Sequence, residues 1–452
     1  MIPLLVCLIA QAASPKALGL RELQERARRN DPRVMQVVAQ VENARGKLDE
    51  AKWAFFPNFQ TTAYLAGPTP ERRLMGGDTN ANPTDPASLT PGSSSGGWFH
   101  GEQGVTAHVD VQAILPIWTF GKWTAGKKAG SHLVNATEAL LQRARDQAAY
   151  DVARAYWGYQ TARNADASVQ KVRDRIKSAQ QTAQKLLAGR SEQISRADAM
   201  KLDYLAEEIE AQHASAIKNR DLAITGLRLL VGVEPAAELS IVQQDLPAAP
   251  QAPNADELTR RALEQRPEAR AANEGVAARQ ALVDLARARL WPDVGLVGGV
   301  RLTETTNASN PSQPFVYNPY HESSGYVALG MQGTLDIPQK LARIRQAEAD
   351  LHEAMAMQIG AQQLVRLEVQ QALGDLAEAR VRVDRYAKET EIGQKLATQA
   401  GVAFDSGLGD ARELLEGTLL YTRADGERLK ALYDAQLAWA ALEKAVGAPL
   451  AP

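Results

Sequence analysis

Residues 22–57, ELQERARRNDPRVMQVVAQVENARGKLDEAKWAFFP, and residues 257–292, ELTRRALEQRPEARAANEGVAARQALVDLARARLWP, align without a gap. Glu22-Leu23 faces Glu257-Leu258, Ala27 faces Ala262, Pro32 faces Pro267, Leu48 faces Val283, Ala51 faces Ala286 and Phe56-Pro57 faces Trp291-Pro292, all at an offset of 235. The match resumes downstream at smaller offsets, with Ala129 and Leu133 opposite Ala347 and Leu351, Val152 and Ala155 opposite Val369 and Ala372, and Val231-Gly232 opposite Val446-Gly447. A shrinking offset means shorter loops in the second copy, and the shared order of prolines means one plan is written twice.

That plan divides the chain into a first repeat over 13–232, a linker over 233–255 marked by Pro235, Pro247, Pro250 and Pro253, and a second repeat over 256–452. In the first repeat a helix is predicted over 17–29, stopping before Asp31-Pro32, and another over 32–56, halted by Pro57. Proline removes a backbone donor and steers the residue before it out of the helical region. Two short segments of a different period follow, 58–67 and 104–117. In the second of these Val105, Ala107, Val109, Val111, Ala113 and Leu115 alternate with Thr106, His108, Asp110 and Gln112, the signature of a strand with one apolar face. Their counterparts are 293–302 and 325–335, where Tyr326, Ala328 and Gly330 alternate with Val327, Leu329 and Met331.

From 121 to 187 there is no proline, and Ala, Gln, Lys, Arg, Leu and Val dominate. A helix of that extent, at a rise of 1.5 Å per residue, is on the order of 100 Å long. Its return partner is expected over 195–231, with equivalents over 339–404 and 410–446. The apolar stripe is narrow and rich in small residues, as in Leu140, Leu141, Ala144, Ala148, Val152, Ala155 and Tyr159. Such helices pack closely on one side and face water on the other, which reads as the wall of a hydrated coiled assembly.

The 452 residues carry 51 Lys plus Arg against 53 Asp plus Glu, so the basic excess that a phosphate backbone demands is missing and nucleic acid is excluded as a partner. Residues 1–12 form a short apolar run ending in Ala10-Gln11-Ala12, which reads as a secretory signal peptide. A lipoprotein alternative would place the lipid on Cys7. Cys7 is the one cysteine, so a mature chain would hold no thiol for catalysis, disulfides or metal ligation. Beyond the first residues no uncharged apolar run reaches the 18 or so residues of a membrane-spanning helix, so any membrane crossing must use strands.

Four strands cannot close a barrel, because open edges in lipid leave backbone groups unsatisfied. Two copies would give eight strands with a filled interior, and three would give twelve around an aqueous lumen. The predicted fold class is mainly α with a membrane β-barrel portion, on a duplicated strand and long-helix repeat; as a trimer it would form a 12-stranded barrel continued by a 12-helix periplasmic tunnel. The segment from Pro68 to Gln103, rich in Pro, Gly and Ser, is a long surface loop, with a counterpart over 303–324. Long loops of such barrels face outward, which directs the helices into the periplasm. Tyr64, Trp98, Phe99, Trp118, Phe120, Tyr317, Tyr320 and Tyr326, near the strand ends, suit interfacial aromatic girdles.

The doubled plan, the pairs Phe56-Pro57 and Trp291-Pro292, Leu115-Pro116-Ile117 followed by Phe120-Gly121, and the closing Val231-Gly232 and Val446-Gly447 together resemble the TolC-like outer-membrane efflux family over essentially the whole mature chain. The resemblance implies a homotrimer in outer-membrane lipid that receives substrates from a periplasmic adaptor and an inner-membrane transporter, proton-driven or ATP-driven. It implies adaptor docking at the helix tips, here Ser191, Glu192 and Gln193 in the first turn and Ser406, Gly407 and Leu408 in the second. It also implies that Asp198, Glu413 and Glu416 narrow a periplasmic aperture, and that Pro57, Pro116 and Pro292 mark helix–strand junctions. Glu413 and Glu416 lie three apart, so they share a helix face, and rings of carboxylates favour cations. Glycines in the second turn can take the positive backbone angles of a tight reversal. Two positions depart from the pattern: Glu192 stands where glycine is usual, and Gly409 where some members place a gate-latching arginine.

The six histidines have no metal-ligand spacing, and no nucleophile elbow or phosphate-cradling loop occurs, so no enzyme, cofactor or metal is expected. A second reading, a non-channel periplasmic coiled-coil scaffold whose strand segments are irregular loops, differs in one observable: it would not extract with the outer membrane. Cargo choice resides largely in the pump and adaptor, and small-molecule efflux is the favoured cargo class.

Overall fold

The computed structural model describes residues 17–69, 104–189, 195–234, 239–306, 318, 320–406 and 408–450. The signal segment, Cys7, Trp98, Phe99, Ser191, Glu192, Gln193, Tyr317 and Gly407 lie outside the described residues.

The first repeat contains α1 (Leu20–Asn30), α2 (Pro32–Trp53), β1 (Asn58–Thr69), β2 (Gly104–Trp118), α3 (Lys122–Ala188) and α4 (Arg196–Val231). The second contains α5 (Ala255–Gln265), α6 (Pro267–Ala288), β3 (Asp293–Thr305), β4 (His321–Gln332), α7 (Ile337–Asp405) and α8 (Ala411–Val446), in the same order. Helix α2 ends at Trp53 rather than at Phe56: Phe56 N–H donates to Trp53 O in a closing turn, and Pro57 keeps its predecessor out of the helical region. The second strand pair also differs from the alternation. β3 continues through Thr303, Glu304 and Thr305, and β4 begins at His321 and stops at Gln332. These polar residues read as loop, but they pair with His108, Ala107 and Thr106 on one side and with Glu322 and His321 on the other.

Two compact units result, one formed by 1–45, 132–276 and 353–452, the other by 46–131 and 277–352. The first is helical, and two of its cores each draw chiefly on one repeat. Leu23, Ala27, Val34, Val152, Tyr156, Leu227 and Val231 belong to one core, and Leu258, Ala262, Val369, Leu376, Leu442 and Val446 to the other. The positions that align the repeats, Leu23 with Leu258, Ala27 with Ala262, Val152 with Val369 and Val231 with Val446, are all completely buried. The closing glycines cap α4 and α8 in the left-handed region, at φ 71° for Gly232 and 77° for Gly447. A Cβ on Gly232 would lie 3.0 Å from Asn30 Cβ, and one on Gly447 3.1 Å from Arg266 Cα, so glycine also lets the first helix of each repeat seat against its last.

The inter-repeat segment is strapped to this unit. Leu18 and Ile241 form a parallel bridge, Gln160 Nε2 donates to Val242 O at 2.6 Å, Tyr156 Oη donates to the same carbonyl at 3.3 Å, and Gln436 Nε2 donates to Pro247 O at 2.8 Å. Buried side-chain amides thereby satisfy backbone groups that no ladder serves.

The second unit contains one antiparallel sheet in the order β1-β2-β3-β4. Thr61 is opposite Val111, Val111 opposite Val300, and Val300 opposite Gly325. Among the described residues β1 and β4 have no further strand neighbour, so the sheet has two open edges.

Candidate functional site

Because side chains alternate along every strand, the register assigns each residue of the sheet to one of two faces. One face carries Phe59, Leu65, Val109, Val111, Leu296, Val300, Leu302, Val327, Leu329 and Met331. These are exposed, with Leu65 78%, Val327 75%, Leu329 71% and Met331 72% open to solvent, a contiguous apolar surface too large for a soluble protein to present to water. On the other face Asp110 Oδ2 accepts from Arg301 Nε at 2.9 Å, His108 Nδ1 meets Thr303 Oγ1 at 2.8 Å, and Gln112 Nε2 donates to Tyr326 Oη at 3.0 Å. Arg301 also lies 3.9 Å from Glu322. A sheet with an oily side and a charged, hydrogen-bonded side is built to separate lipid from water.

This register corrects two aromatic assignments. Tyr64 stacks on His108 with centroids 4.7 Å apart, and Tyr326 covers Gly299, whose added Cβ would come within 2.9 Å of the Tyr326 ring. Both therefore stand on the polar face and not in a girdle. Tyr320 lies in the turn that precedes β4. Trp118, Phe120 and Trp291 form a cluster, Trp118 edge-on to Phe120 at 6.2 Å and Phe120 stacked on Trp291 at 5.7 Å. It sits at the helix-proximal end of the strands, as an interfacial belt would.

Pro57 and Pro292 immediately precede β1 and β3, at junctions from helix to strand. Pro116 does not mark a junction: it lies inside β2, at an irregularity where pairing skips from Pro116 to Trp118. The passage into α3 uses Phe120 at φ 49° and Gly121 at φ 90°. Consecutive left-handed residues turn the chain sharply, at a steric cost for Phe120 that its two ring contacts offset.

At the far ends of the long helices, Asp198 is an N-cap partner. Ser195 Oγ accepts from Asp198 N at 3.2 Å, and Asp198 Oδ2 accepts from Ser195 N at 3.2 Å and from Ser195 Oγ at 2.6 Å. The Ser195 hydroxyl, then Lys201 at 3.0 Å, hold this carboxyl below its ordinary range. Asp198 is thus committed to starting α4, a role the Ser-x-x-Asp spacing announces. Glu416 accepts from Arg412 Nε at 2.9 Å one turn earlier on α8, in a pair exposed to solvent. Glu413 is exposed and has no ion-pair partner among the described residues. Asp410 caps α8 by accepting from Arg412 N.

At the second tip Gly409 is needed on steric grounds and not for its backbone angle. Gly409 is not among the positive-φ glycines; instead a Cβ there would lie 2.8 Å from Ala403 Cβ. The amides of Leu408 and Gly409 both donate to Ala403 O at 2.9 Å, and Ser406 Oγ caps Val402 O at 2.6 Å. That closeness leaves no room for an arginine at 409. Gly409→Ala should weaken the turn by about 1–3 kcal/mol, seen as at least tenfold faster hydrogen exchange at Leu408 N–H; unchanged exchange would refute the steric account. Nearby, Arg175 of α3 reaches Asp405 of α7 at 3.0 Å across Gly401, a link between residues so distant in sequence that no local pattern announces it. Arg301 was equally missed, although an arginine interrupting a strand of small residues was a visible signal.

A family profile described as "Outer membrane efflux protein" matches residues 23–233 and 258–448. Over 353 residues, 76% of this chain and 70% of the relative, the sequence is 27% identical to protein CyaE of Bordetella pertussis (strain Tohama I). The fold is similar to that of the outer-membrane channel OprN, with a TM-score of 0.75 at 21% identity over 95% of this chain and 90% of that one. It is also similar to the outer-membrane protein VceC from Vibrio cholerae, with a TM-score of 0.72 at 17% identity over 95% and 96% of the two chains.

Proposed function

Because this chain belongs to the outer membrane efflux protein family, we propose that three copies close their sheets edge to edge into a pore that passes substrates from the periplasm to the exterior, gated at the helix tips. The chain is an outer-membrane protein of a channel family. The observation that carries the proposal is the sheet: four strands, two open edges, one apolar face and one face holding the Asp110–Arg301 pair. Open edges are not tolerated in lipid, and three such sheets supply twelve strands, enough for a water-filled lumen lined by the polar face.

In this reading the helix tips, with Ser191, Glu192 and Gln193 in one turn and Ser406, Gly407 and Leu408 in the other, meet a periplasmic adaptor, through which an inner-membrane transporter delivers cargo. The catalytic alternative has no support from the family or the fold. Purified in detergent, the protein should run as a heat-modifiable trimer and give discrete conductance steps in planar bilayers; a monomer soluble without detergent would sink the proposal and favour the coiled-coil scaffold.

In this reading Glu413 and Glu416, both exposed on α8, line the aperture, with Glu416 paired to Arg412 and Asp198 also engaged in capping α4. Glu413→Ala with Glu416→Ala should raise single-channel conductance, and by leaving Arg412 unopposed should weaken divalent-cation block about tenfold, equivalent to about 1.4 kcal/mol. Unaltered conductance and block would remove these acids from the gate.

A further inference from the structure

The polar face of the sheet does not spread its charge evenly. Within the strands it carries Asp110, Arg301 and Glu322 at one level, and at the helix-proximal end Asp293, which Lys122 Nζ meets at 2.8 Å. Between these two levels the same face holds Gln112, Gly299 and Tyr326, then Ile114, Val297 and Ala328, none of them charged. On the loop side Thr106 Oγ1 and Thr305 Oγ1 hydrogen-bond to each other at 3.0 Å. Unpaired excess charge on this wall is therefore gathered into one belt.

The belt crosses three strands. Arg301 on β3 has Asp110 of β2 on one side, at 2.9 Å, and Glu322 of β4 on the other, at 3.9 Å. Ser324 Oγ donates to Glu322 Oε1 at 2.7 Å, which holds that carboxylate against the sheet. The side chains of Arg301 and Asp110 are 46% and 26% open to solvent, so an ion passing along this face meets them directly. Glu322, at 14%, is less screened by water than a charge on a freely exposed side chain. Two carboxylates flank one guanidinium, and the three side chains together carry a formal excess of one negative charge.

We propose that this belt is a charge filter that makes the pore pass cations in preference to anions, with Asp110 and Glu322 setting the preference and Arg301 limiting it. The inference rests on the pore reading given above and adds to it a selective element in the sheet, apart from the acids of the helix tips. Three chains closing one barrel would set six carboxylates against three guanidiniums around the lumen at a single height. A ring of one net sign in a pore wall draws in ions of the opposite sign and holds back its own.

The test is the reversal potential of the full-length protein in planar bilayers under a KCl gradient kept at or below about 0.1 M, where wall charges act over about 10 Å. The wild type should favour potassium over chloride. Arg301→Gln should raise the potassium-to-chloride permeability ratio about twofold, Glu322→Gln should lower it about twofold, and Asp110→Asn with Glu322→Gln should give the lowest ratio of the series. Arg301→Lys, which keeps the charge, should leave the ratio as it is. Charges elsewhere on the chain, the tip acids included, are common to all of these proteins and shift the series without changing its order. Should a variant fail to assemble, Thr62→Cys supplies a second arm, because Thr62 is exposed opposite Asp110 and can be modified after the channel has formed. Relative to reagent-treated wild type, a trimethylammonium-bearing methanethiosulfonate should lower the ratio and a sulfonate-bearing one should raise it. Equal ratios across the series, a different order, or shifts in the same direction from both reagents would overturn the filter and leave the pore standing. A wild type without conductance steps would instead overturn the pore reading, and the filter with it.

Discussion

Val300→Arg is expected to empty the outer-membrane fraction of assembled protein, whereas Thr62→Arg, on the opposite face of the same sheet, is expected to leave assembly intact. Val300 lies near the middle of β3, opposite Val111, and is 53% exposed on the apolar face. An arginine toward lipid near the bilayer centre costs about 2–4 kcal/mol per chain, and a threefold assembly would carry the cost three times. Thr62 is opposite Asp110 on the polar face, where a new guanidinium finds water and a carboxylate. The measurement is the fraction of heat-modifiable protein recovered with outer membranes. Equal behaviour of the two variants would mean that the faces do not separate lipid from lumen.

The second large effect lies in the helical unit. Tyr156 is 1% exposed, packs edge-on against Trp157 at 5.1 Å, and donates its hydroxyl to Val242 O. Tyr156→Ala should destabilise the unit by about 3–5 kcal/mol, through a cavity in the first-repeat core and loss of a hold on the inter-repeat strap. Tyr156→Phe should cost only about 1 kcal/mol, because Gln160 still donates to Val242 O. Helical circular dichroism against denaturant separates the two. Similar midpoints would show that the strap's hydrogen bond, and not the packing, carries the effect.

Much of this architecture was legible before any coordinates. Pro32 and Pro267 begin α2 and α6, Pro57 and Pro292 precede β1 and β3, and the alternation around Val109 marks β2. These signals are local: proline restricts its own φ and its predecessor, and a period of two or of 3.6 is a property of a single segment. The sites were less legible. Glu413 and Glu416 share a helix face, yet only the side-chain geometry shows that Arg412 pairs with one of them. Asp198, expected at the aperture, also belongs to the capping box that starts α4, and Ser195 three residues earlier was the clue to that role. Gly409 looked like a residue chosen for a positive φ and is one chosen for closeness to Ala403.

What the sequence alone determined is the kind and order of the elements and their duplication, because period, proline position and repeat offset need no knowledge of what touches what. Only the tertiary structure decided that Tyr64 and Tyr326 share the polar face with Asp110 and Arg301, that Pro116 sits at an irregularity within β2, and that Arg175 of α3 reaches Asp405 of α7. Alternation says that a strand has two faces, but which residue of a distant strand shares a face is set by pairing register. Whether a charge on one long helix meets one on another depends on how the helices converge, and neither is written in any one segment.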